Sequence, residues 1–456
     1  MRKYTAAEVA AITKGMILCG DPETEITNIQ YDSREVAEGT LFVPIKGAKT
    51  DPHQFIEECF NKGAAAALTE YDAPQDAAKP YIKVENTLVA LQKLASDYRS
   101  GLNVHLVGIT GSVGKTSTKE MVAAALSCGF DVMKTQGNRN SQIGLPMTMF
   151  EINAHNEAAV IEMGMSEFGE MDRLCDIARP DMAVMTNIGK AHIENLKTQE
   201  NILSEKFKIT KHFNENSILF INGDDRLLRT LHNKQKFKTV TFGLSSDNDY
   251  YADEIKTFGF STSFMCVRGD KKTSVMIPAL GVHIITNALA AFAVGEAMGL
   301  SEDVIVRGLA GYKNAPMRQQ VHELNEFVLI DDSYNASPEA MRVSIDVLKK
   351  ASSGKTIAVL ADMLELGNEA PAEHYGVGKY LAEAGIDMLI TVGKLSRCIA
   401  KGATENGCGC VKSFDNNCDA YQYLKTVIEK DCTILVKGSR SMHTDEIVSN
   451  ILTDNK

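Results

Sequence analysis

The stretch Val104-His-Leu-Val-Gly-Ile-Thr-Gly-Ser-Val-Gly-Lys-Thr-Ser-Thr118 decides how the rest of this 456-residue chain is interpreted. Its apolar run, Val104 to Ile109, predicts a buried strand, and a helix is expected to begin at about Thr116 after a glycine-rich turn. Such a turn forms a phosphate cradle, because its backbone N–H groups and the helix N-terminus favour an anion. The stretch therefore predicts ATP or GTP binding.

The core of this loop, Thr110 to Thr116, fits the standard phosphate-loop pattern, although Ile109 stands where that pattern begins with glycine. Lys115 is predicted to reach the β- and γ-phosphates, and the Thr116 hydroxyl to bind Mg²⁺. A chance glycine-rich loop is the competing interpretation, and the strand before and the helix after the loop argue against it. The loop residues expected to bind the nucleotide are Gly111, Ser112, Val113, Gly114, Lys115, Thr116 and Ser117.

The composition is that of a globular protein, with 44% hydrophobic and 23% charged residues, and the length predicts two to four domains. The net charge of −11 argues against broad binding to nucleic acid or anionic membranes. No apolar run approaches the roughly 18 residues of a membrane span, and no apolar signal core follows the first residues, so a cytoplasmic protein is expected. The ten cysteines form no C-x-x-C pair, which predicts reduced thiols rather than metal ligands or disulfides.

The fold class predicted from the order of apolar segments is α/β with three domains. Residues 1–100 are expected to form a small α/β domain, 101–314 the central phosphate-loop domain, and 315–456 a Rossmann-like domain with a doubly wound parallel sheet. Ligands bind at the carboxyl ends of such strands, so the polar residues that follow them should face the phosphate loop. These rim segments are Asp331–Asn335, Asp362–Glu365, Gly393–Lys394 and Lys437–Arg440.

Polar residues outside the phosphate loop are the next candidates for a site. Ser33 and Arg34 could bind a phosphate or a uracil edge, although the residues alone favour a simple turn with a surface arginine. Amide side chains near the phosphate loop, among them Asn140, could orient a substrate. Glu162 ends an apolar strand beside the phosphate loop, where a Mg²⁺ ligand is expected, with a purely structural glutamate as the alternative.

Two further features follow the next apolar strand. His192 lies beyond its end and is either a ligand for metal or phosphate or a structural histidine. The segment from Glu194 to Phe213 is predicted to be helical, and its charge pattern, with Glu205 and Lys206, is typical of a solvated helix face.

Together these motifs resemble the Mur ligase family, and the resemblance covers nearly the whole chain. No motif is decisive alone, but their order and spacing across three domains are specific. The motifs are Asp32-Ser-Arg34 with Leu41-Phe-Val43, Thr110–Ser117, Glu162-Met-Gly164, Asn187–His192, Asp331–Pro338 and Lys437–Arg440.

The resemblance implies that the first domain binds the UDP end of a substrate, the central domain binds ATP, and the third is a mobile ligase domain. In that family ATP phosphorylates a peptide carboxylate, and an incoming amine attacks the acyl phosphate to give an amide. The choice of motifs within the family implies a UDP-N-acetylmuramoyl-tripeptide and D-alanyl-D-alanine as small-molecule substrates, in cytoplasmic peptidoglycan precursor synthesis. A monomer without nucleic-acid or membrane-spanning partners is expected.

The same resemblance assigns roles to individual residues. Lys115 holds phosphates, Thr116 and Glu162 hold a first Mg²⁺, and His192 holds a second. Lys206 matches a lysine that family members carry as a carbamate bridging to Mg²⁺, so Lys115, Lys206 and His192 are the expected catalytic residues. The remaining expected contacts are Asn287 to adenine, Arg318 and Asp332 to phosphate and ribose, and Ser33, Arg34, Asn140 and Asn335 to the other substrates.

Some positions depart from the family pattern: Ser141 stands where a second asparagine is frequent, Lys208 where a glutamate is frequent, and Ile284 where an asparagine is frequent. Another Mur ligase, a folylpolyglutamate synthase-like ligase and a nucleotide-dependent switch remain alternatives. The sequence does not identify the diamino acid of the tripeptide.

Overall fold

The computed structural model describes residues 1–73 and 78–455, and these form three α/β domains that each contain their own sheet. The predicted fold class is therefore confirmed. The first domain pairs its strands in the order β2-β7-β6-β5-β4, with β1 and β3 as a separate small ribbon. Its elements are β1 (Tyr4–Thr5), α1 (Ala6–Thr13), β2 (Met16–Cys19), β3 (Glu25–Ile26), β4 (Asn28–Gln30), β5 (Thr40–Phe42), α2 (Ile56–Asn61), β6 (Ala66–Thr69), β7 (Tyr81–Lys83) and α3 (Thr87–Ser100).

The central domain contains a nine-stranded sheet in the order β16-β15-β14-β13-β12-β11-β8-β10-β9, which is parallel from β9 to β14 and antiparallel from β14 to β16. Its elements are β8 (His105–Thr110), α4 (Lys115–Leu126), β9 (Val132–Lys134), α5 (Gly144–Glu151), β10 (Ala158–Glu162), α6 (Glu170–Ala178), β11 (Met182–Met185), α7 (Ile193–Leu196), α8 (Gln199–Phe207), β12 (Ile218–Asn222), α9 (Arg226–Arg229), β13 (Lys238–Gly243), β14 (Tyr250–Phe258), β15 (Ser261–Arg268), β16 (Lys271–Ile277), α10 (Val282–Ala297) and α11 (Glu302–Ala310).

The third domain contains a six-stranded sheet in the order β17-β18-β22-β19-β20-β21, parallel except for the edge strand β17. Its elements are β17 (Gln320–Glu323), β18 (Val328–Asp331), α12 (Pro338–Ala351), β19 (Thr356–Ala361), α13 (Ala370–Glu383), β20 (Met388–Val392), α14 (Arg397–Glu405), β21 (Cys410–Phe414), α15 (Asn417–Lys425), β22 (Thr433–Lys437) and α16 (Asp445–Asp454).

The first two domains share one hydrophobic core. Helix α3 begins at a proper cap, where the Asn86 side chain accepts from the Val89 N–H, and its buried face includes Leu94 and Tyr98. These side chains pack with Leu145 and Phe150 of α5 as well as with the sheet of the first domain. Because that interface is apolar and buried, it holds the two domains as one body.

The third domain meets the central domain differently. Leu280 and the partly buried Phe260 of the central domain pack against its core, but the other contacts near the phosphate loop are between charged groups. Half-exposed ion pairs contribute little stability. This interface is therefore easier to separate than the one formed by α3.

One prediction about local structure was wrong. The segment from Glu194 to Phe213 is not one helix: Lys197, with φ of 73°, separates α7 from α8, and a 3₁₀ turn follows α8. The elements α14, β21 and α16 were not anticipated. All ten cysteines are free thiols, and no helix among the described residues is long and apolar enough to cross a bilayer.

The shared core generates a stability prediction. Leu94→Ala removes a fully buried side chain, and we expect the free energy of unfolding to fall by about 2–5 kcal/mol. Because α3 joins two domains, hydrogen exchange measured by mass spectrometry should rise in β5 and also in α5.

The matched control is Val89→Ala on the same helix, where the side chain is exposed and exchange should not change. Increased exchange confined to the first domain in Leu94→Ala would contradict a shared core.

Candidate functional site

The phosphate loop connects β8 to α4 in a conformation that only glycine allows at two points. Gly114 precedes α4 with φ of 85°, in the left-handed region that other residues rarely adopt. A Cβ on Gly111 would lie 1.9 Å from the Thr186 Oγ1 atom. The loop therefore packs directly against the residues that follow β11.

Asn187 fixes the shape of this loop by three hydrogen bonds. Its carbonyl accepts from the Ser112 N–H at 3.0 Å and its Oδ1 accepts from the Val113 N–H at 2.9 Å. Its amide nitrogen donates to the Val113 carbonyl at 2.9 Å, and the Thr186 hydroxyl donates to the same carbonyl at 2.6 Å. The loop is thus pre-organised by the neighbouring strand end.

Glu162 lies beside the start of α4 because β10 pairs with β8 in parallel, with Glu162 opposite Ile109. The Thr116 hydroxyl donates to Glu162 Oε2 at 2.9 Å, and the Asn140 amide donates to Oε1 at 2.6 Å. Glu162 is 2% exposed. A hydroxyl and a carboxylate next to a phosphate loop are hard oxygen ligands of the kind that Mg²⁺ shares with nucleotide phosphates, so these residues fit that ion.

Two lysines share one acceptor at the phosphate loop. Lys115 Nζ donates to the Gly111 carbonyl at 2.9 Å, and Lys206 Nζ donates to the same carbonyl at 3.0 Å. Burial lowers the pKa of Lys115, and burial followed by repulsion from Lys115 lowers the pKa of Lys206 well below its usual value. The structure therefore favours a neutral amine at Lys206.

The interpretation of this segment as a solvated helix face was wrong for Glu205 and Lys206. Both side chains are buried, with 1% and 0% exposure. Glu205 Oε2 lies 2.7 Å from the Lys208 Nζ, and its Oε1 accepts from the Met171 N–H at 3.2 Å. The charge pattern failed because α8 packs the face that carries Glu205 and Lys206 into the interior of the central domain, while Glu200 stays exposed.

A cleft of about 670 Å³ lies between the central and third domains. Asn287 on α10 faces it, and its Oδ1 accepts from the Thr118 hydroxyl at 3.0 Å while the buried amide nitrogen has no hydrogen-bond partner. A free donor at this depth fits an acceptor on a bound ligand. The expected site residues that line the cleft are Ser112, Val113, Gly114, Lys115, Thr116, Ser117, His192, Asn287, Arg318, Asp332 and Asn335.

Charged side chains of the third domain line one side of this cleft. The Asp332 Oδ2 atom lies 2.6 Å from the Lys437 Nζ, and both side chains are almost fully buried. Burial lowers the pKa of Lys437. The Arg318 guanidinium lies 4.0 Å above the ring of Tyr334, a cation–π contact that orients it.

His283 also lines the cleft, on α10 of the central domain. Burial lowers its pKa to about 4. Its imidazole is therefore neutral at pH 7.

His192 contacts the third domain rather than Glu162. Its backbone φ is 64°, and its Nδ1 lies 2.9 Å from Glu365 Oε2 of the third domain. No three His, Cys, Asp or Glu side chains converge as a metal site within residues 1–73 and 78–455.

Ser33 and Arg34 lie in the first domain and do not line the cleft. Arg34 is largely exposed and pairs with Asp32 at 2.5 Å, which lowers the pKa of that carboxyl to about 2. The Ser33 carbonyl accepts from Lys62 Nζ at 3.1 Å. An exposed guanidinium at a turn remains available to an anionic ligand.

Asn187, Glu365 and Lys437 were expected at this edge of the sheets, but their individual contacts were not predicted, and Thr186 was not anticipated. Thr186 and Asn187 hold the phosphate loop, Lys437 pairs with Asp332, and Glu365 meets His192. The only sequence signal for them was their place after apolar strands, which predicts a position at the carboxyl edge but not a partner.

Three family models match consecutive parts of the chain: the Mur ligase family catalytic domain at residues 25–99, the Mur ligase middle domain at 109–295, and the Mur ligase glutamate ligase domain at 317–440. The chain is 36% identical to the UDP-N-acetylmuramoyl-tripeptide–D-alanyl-D-alanine ligase of Bacillus subtilis, over 99% of both chains. It is 34% identical to the ligase of that name from Escherichia coli, over 98% of both chains.

Solved structures show the same similarity. A crystal structure of MurF from Acinetobacter baumannii superposes with a TM-score of 0.92 at 30% identity, covering 99% of both chains. The MurF ligase from Thermotoga maritima in complex with ADP has a TM-score of 0.84 at 31% identity, covering 92% of this chain and 96% of that one.

The position of Lys115, next to the Gly111 carbonyl and at the edge of the cleft, leads to a prediction. Lys115→Ala removes the charge that we expect to face the transferred phosphate, and ATP turnover should then fall roughly a hundredfold to a thousandfold. Circular dichroism should show an unchanged fold, and Lys236→Ala, at an exposed lysine of the same domain, should keep full turnover. Near-normal turnover in Lys115→Ala would contradict the assignment of this loop.

Proposed function

This chain belongs to the Mur ligase family, and we propose that it joins D-alanyl-D-alanine to a UDP-N-acetylmuramoyl-tripeptide at the expense of ATP, in peptidoglycan precursor synthesis. The observation that carries this proposal is its similarity, along the whole chain, to ligases of that name. The geometry supports this proposal, because the phosphate loop lines one side of the cleft and the third domain lines the other.

The reaction consists of two transfers. The γ-phosphoryl group of ATP passes to the terminal carboxylate of the tripeptide, and ADP leaves. The amine of the dipeptide then attacks the carbonyl carbon, loses a proton, and displaces phosphate as the amide forms. The phosphorylated carboxylate must react with the amine before water hydrolyses it. A site enclosed between two domains favours this outcome because it excludes water.

The residues of the phosphate loop bind and orient the nucleotide in this reaction. Backbone N–H groups at the start of α4 face the phosphates, and Lys115 places a positive charge on the transferred group. The unpartnered amide of Asn287 is suited to hydrogen bond the adenine, and Arg318 and Asp332 to contact phosphate and ribose. Pre-organisation by Asn187 means that the loop does not have to rearrange on binding.

Mg²⁺ would offset the repulsion between the triphosphate and the carboxylate substrate. We propose two such ions. Thr116 and Glu162 would hold the first, which their 2.9 Å contact supports, and His192 and Lys206 would hold the second.

Lys206 is proposed to act as a carbamate. A protonated amine beside Lys115 is disfavoured, since the two share the Gly111 carbonyl. A neutral amine can add to the carbon of CO₂ and lose one proton, which leaves an anionic carbamate. That anion would be attracted to Lys115 and would offer oxygen atoms of the kind that Mg²⁺ prefers.

We propose that the first domain binds the UDP end of the substrate, where Ser33 and Arg34 contact the uridine diphosphate. Asn140 and Asn335 are proposed to contact the parts of the substrates nearer the reaction. We accordingly assign residues 1–100 to UDP-substrate binding, 101–314 to ATP binding and 315–456 to the ligase domain. A monomeric cytoplasmic enzyme is proposed.

The experiment that tests this function measures phosphate release with each substrate omitted in turn. Release should require ATP, the UDP-muramoyl-tripeptide and D-alanyl-D-alanine together, because the amine completes the cycle. Separate assays with lysine and diaminopimelate in the tripeptide would identify the natural diamino acid. Release without the dipeptide, or with a single amino acid in its place, would contradict this function and favour another ligase or a nucleotide-dependent switch.

The carbamate generates a further prediction. Lys206→Ala should be nearly inactive, because the proposed oxygen ligands are lost, and acetate should partly restore activity by occupying the vacated space. Wild-type activity should also fall when bicarbonate is removed at mildly acid pH.

The matched variant is Lys211→Ala, which removes a half-exposed lysine just beyond the same helix and should retain full activity. A fully active Lys206→Ala protein would show that Lys206 is a structural residue.

A further inference from the structure

The loop from Asn187 to His192 contacts two parts of the molecule at once. On one side, Asn187 makes the three hydrogen bonds that shape the phosphate loop. On the other side, the same loop contacts the third domain. A movement of the third domain would therefore displace residues that lie within three positions of Asn187, whose hydrogen bonds hold Ser112 and Val113.

Lys190 makes the ionic contacts across this interface. Its Nζ lies 2.6 Å from Glu369 Oε2 and 2.8 Å from Glu373 Oε1. Glu373 belongs to the first turn of α13, and Glu369 lies immediately before that helix. The backbone N–H of Lys190 also donates to Glu339 Oε1 at 3.3 Å. Both the side chain and the backbone of Lys190 therefore contact the third domain.

Gly189 allows the two sides to approach this closely. A Cβ at this position would lie 3.2 Å from the Glu339 carboxyl carbon and 3.4 Å from the Ser112 Cβ. The loop is therefore held between the phosphate loop and α12. A side chain here would require the Glu339 carboxyl group to shift slightly.

We propose that Lys190 is a positioning residue: its ion pairs with Glu369 and Glu373 act as a latch that docks the third domain on the loop bracing the phosphate loop. Docking then fixes the phosphate loop in its catalytic shape, and separation loosens it. The activity part of this proposal rests on the proposed function, since it assumes transfer between the two domains.

The strength of these contacts suits a reversible latch. The Lys190 side chain is 32% exposed and Glu369 47% exposed, and such pairs shift an equilibrium by only about fivefold. A contact of that strength stabilises the docked state without preventing substrate entry or product release. The apolar interface of α3 is unsuited to such an exchange.

The test compares Lys190→Glu with a charge reversal of all three residues, Lys190→Glu/Glu369→Lys/Glu373→Lys, in the full chain. Without any substrate, small-angle X-ray scattering should give a larger radius of gyration for Lys190→Glu, and the charge exchange should restore most of the wild-type value. Hydrogen exchange at residues 108–118 should rise in Lys190→Glu and return to the wild-type level in the triple variant. The control is Lys211→Glu, because Lys211 pairs with Asp176 at 2.9 Å within the central domain.

Kinetics provide the second readout. In Lys190→Glu, kcat/KM for D-alanyl-D-alanine should fall on the order of tenfold and KM for ATP should rise, because repulsion across the domain boundary moves away the domain that carries Arg318 and Asp332 and loosens the phosphate loop. The charge exchange should recover most of that loss, which a merely structural lysine would not show.

The outcomes separate the two proposals. Wild-type scattering and exchange in Lys190→Glu, or no recovery on charge exchange, would overturn the latch. Failure of the wild-type protein to ligate the dipeptide would overturn the function, and the substrate-free scattering and exchange measurements would still decide the latch.

Discussion

Three parallel strands of the central sheet end at the same edge, and the site depends on that alignment. Strand β8 pairs with β10 on one side and with β11 on the other. This register places Glu162 and Asn187 on either side of the phosphate loop, so one supplies a carboxylate and the other supplies hydrogen bonds. A shift of either strand by one residue would turn these side chains to the opposite face of the sheet.

The two domain interfaces serve different physical ends. The apolar side chains of α3 join the first two domains permanently, which fixes where a substrate bound in the first domain lies relative to the phosphate loop. The third domain is held near the cleft by ion pairs and by a few apolar contacts, which separate at little cost. A first domain that is fixed to the central domain and a third domain that can separate from it suit a reaction in which a large substrate enters and a reactive intermediate must then be enclosed.

The sequence predicted those parts of the fold and site that depend on local pattern. The phosphate loop and the strand end at Glu162 were found because glycine spacing and apolar runs constrain the backbone directly. The burial of Lys206 was not, since a charge pattern does not show which face of a helix packs against a neighbouring sheet. Asn187 and Glu365 were expected at this edge, but their individual contacts were not predicted, because those contacts join partners distant in the chain. Strand β21 was not predicted because it has no buried apolar run, and α14 and α16 were not predicted although their apolar residues follow a helical period.

The core shared through α3 also has a consequence for synthesis on the ribosome. The first 100 residues emerge with Leu91, Leu94 and Tyr98 on a helix face that the sheet of the first domain alone does not cover. Their partners on α5 and α6 lie about 45–80 residues further on, a delay of roughly 2–16 s at typical elongation rates. During that interval the nascent chain exposes these apolar side chains, a state that is prone to aggregation. Complete folding of the amino-terminal domain therefore depends on synthesis of the domain that follows it.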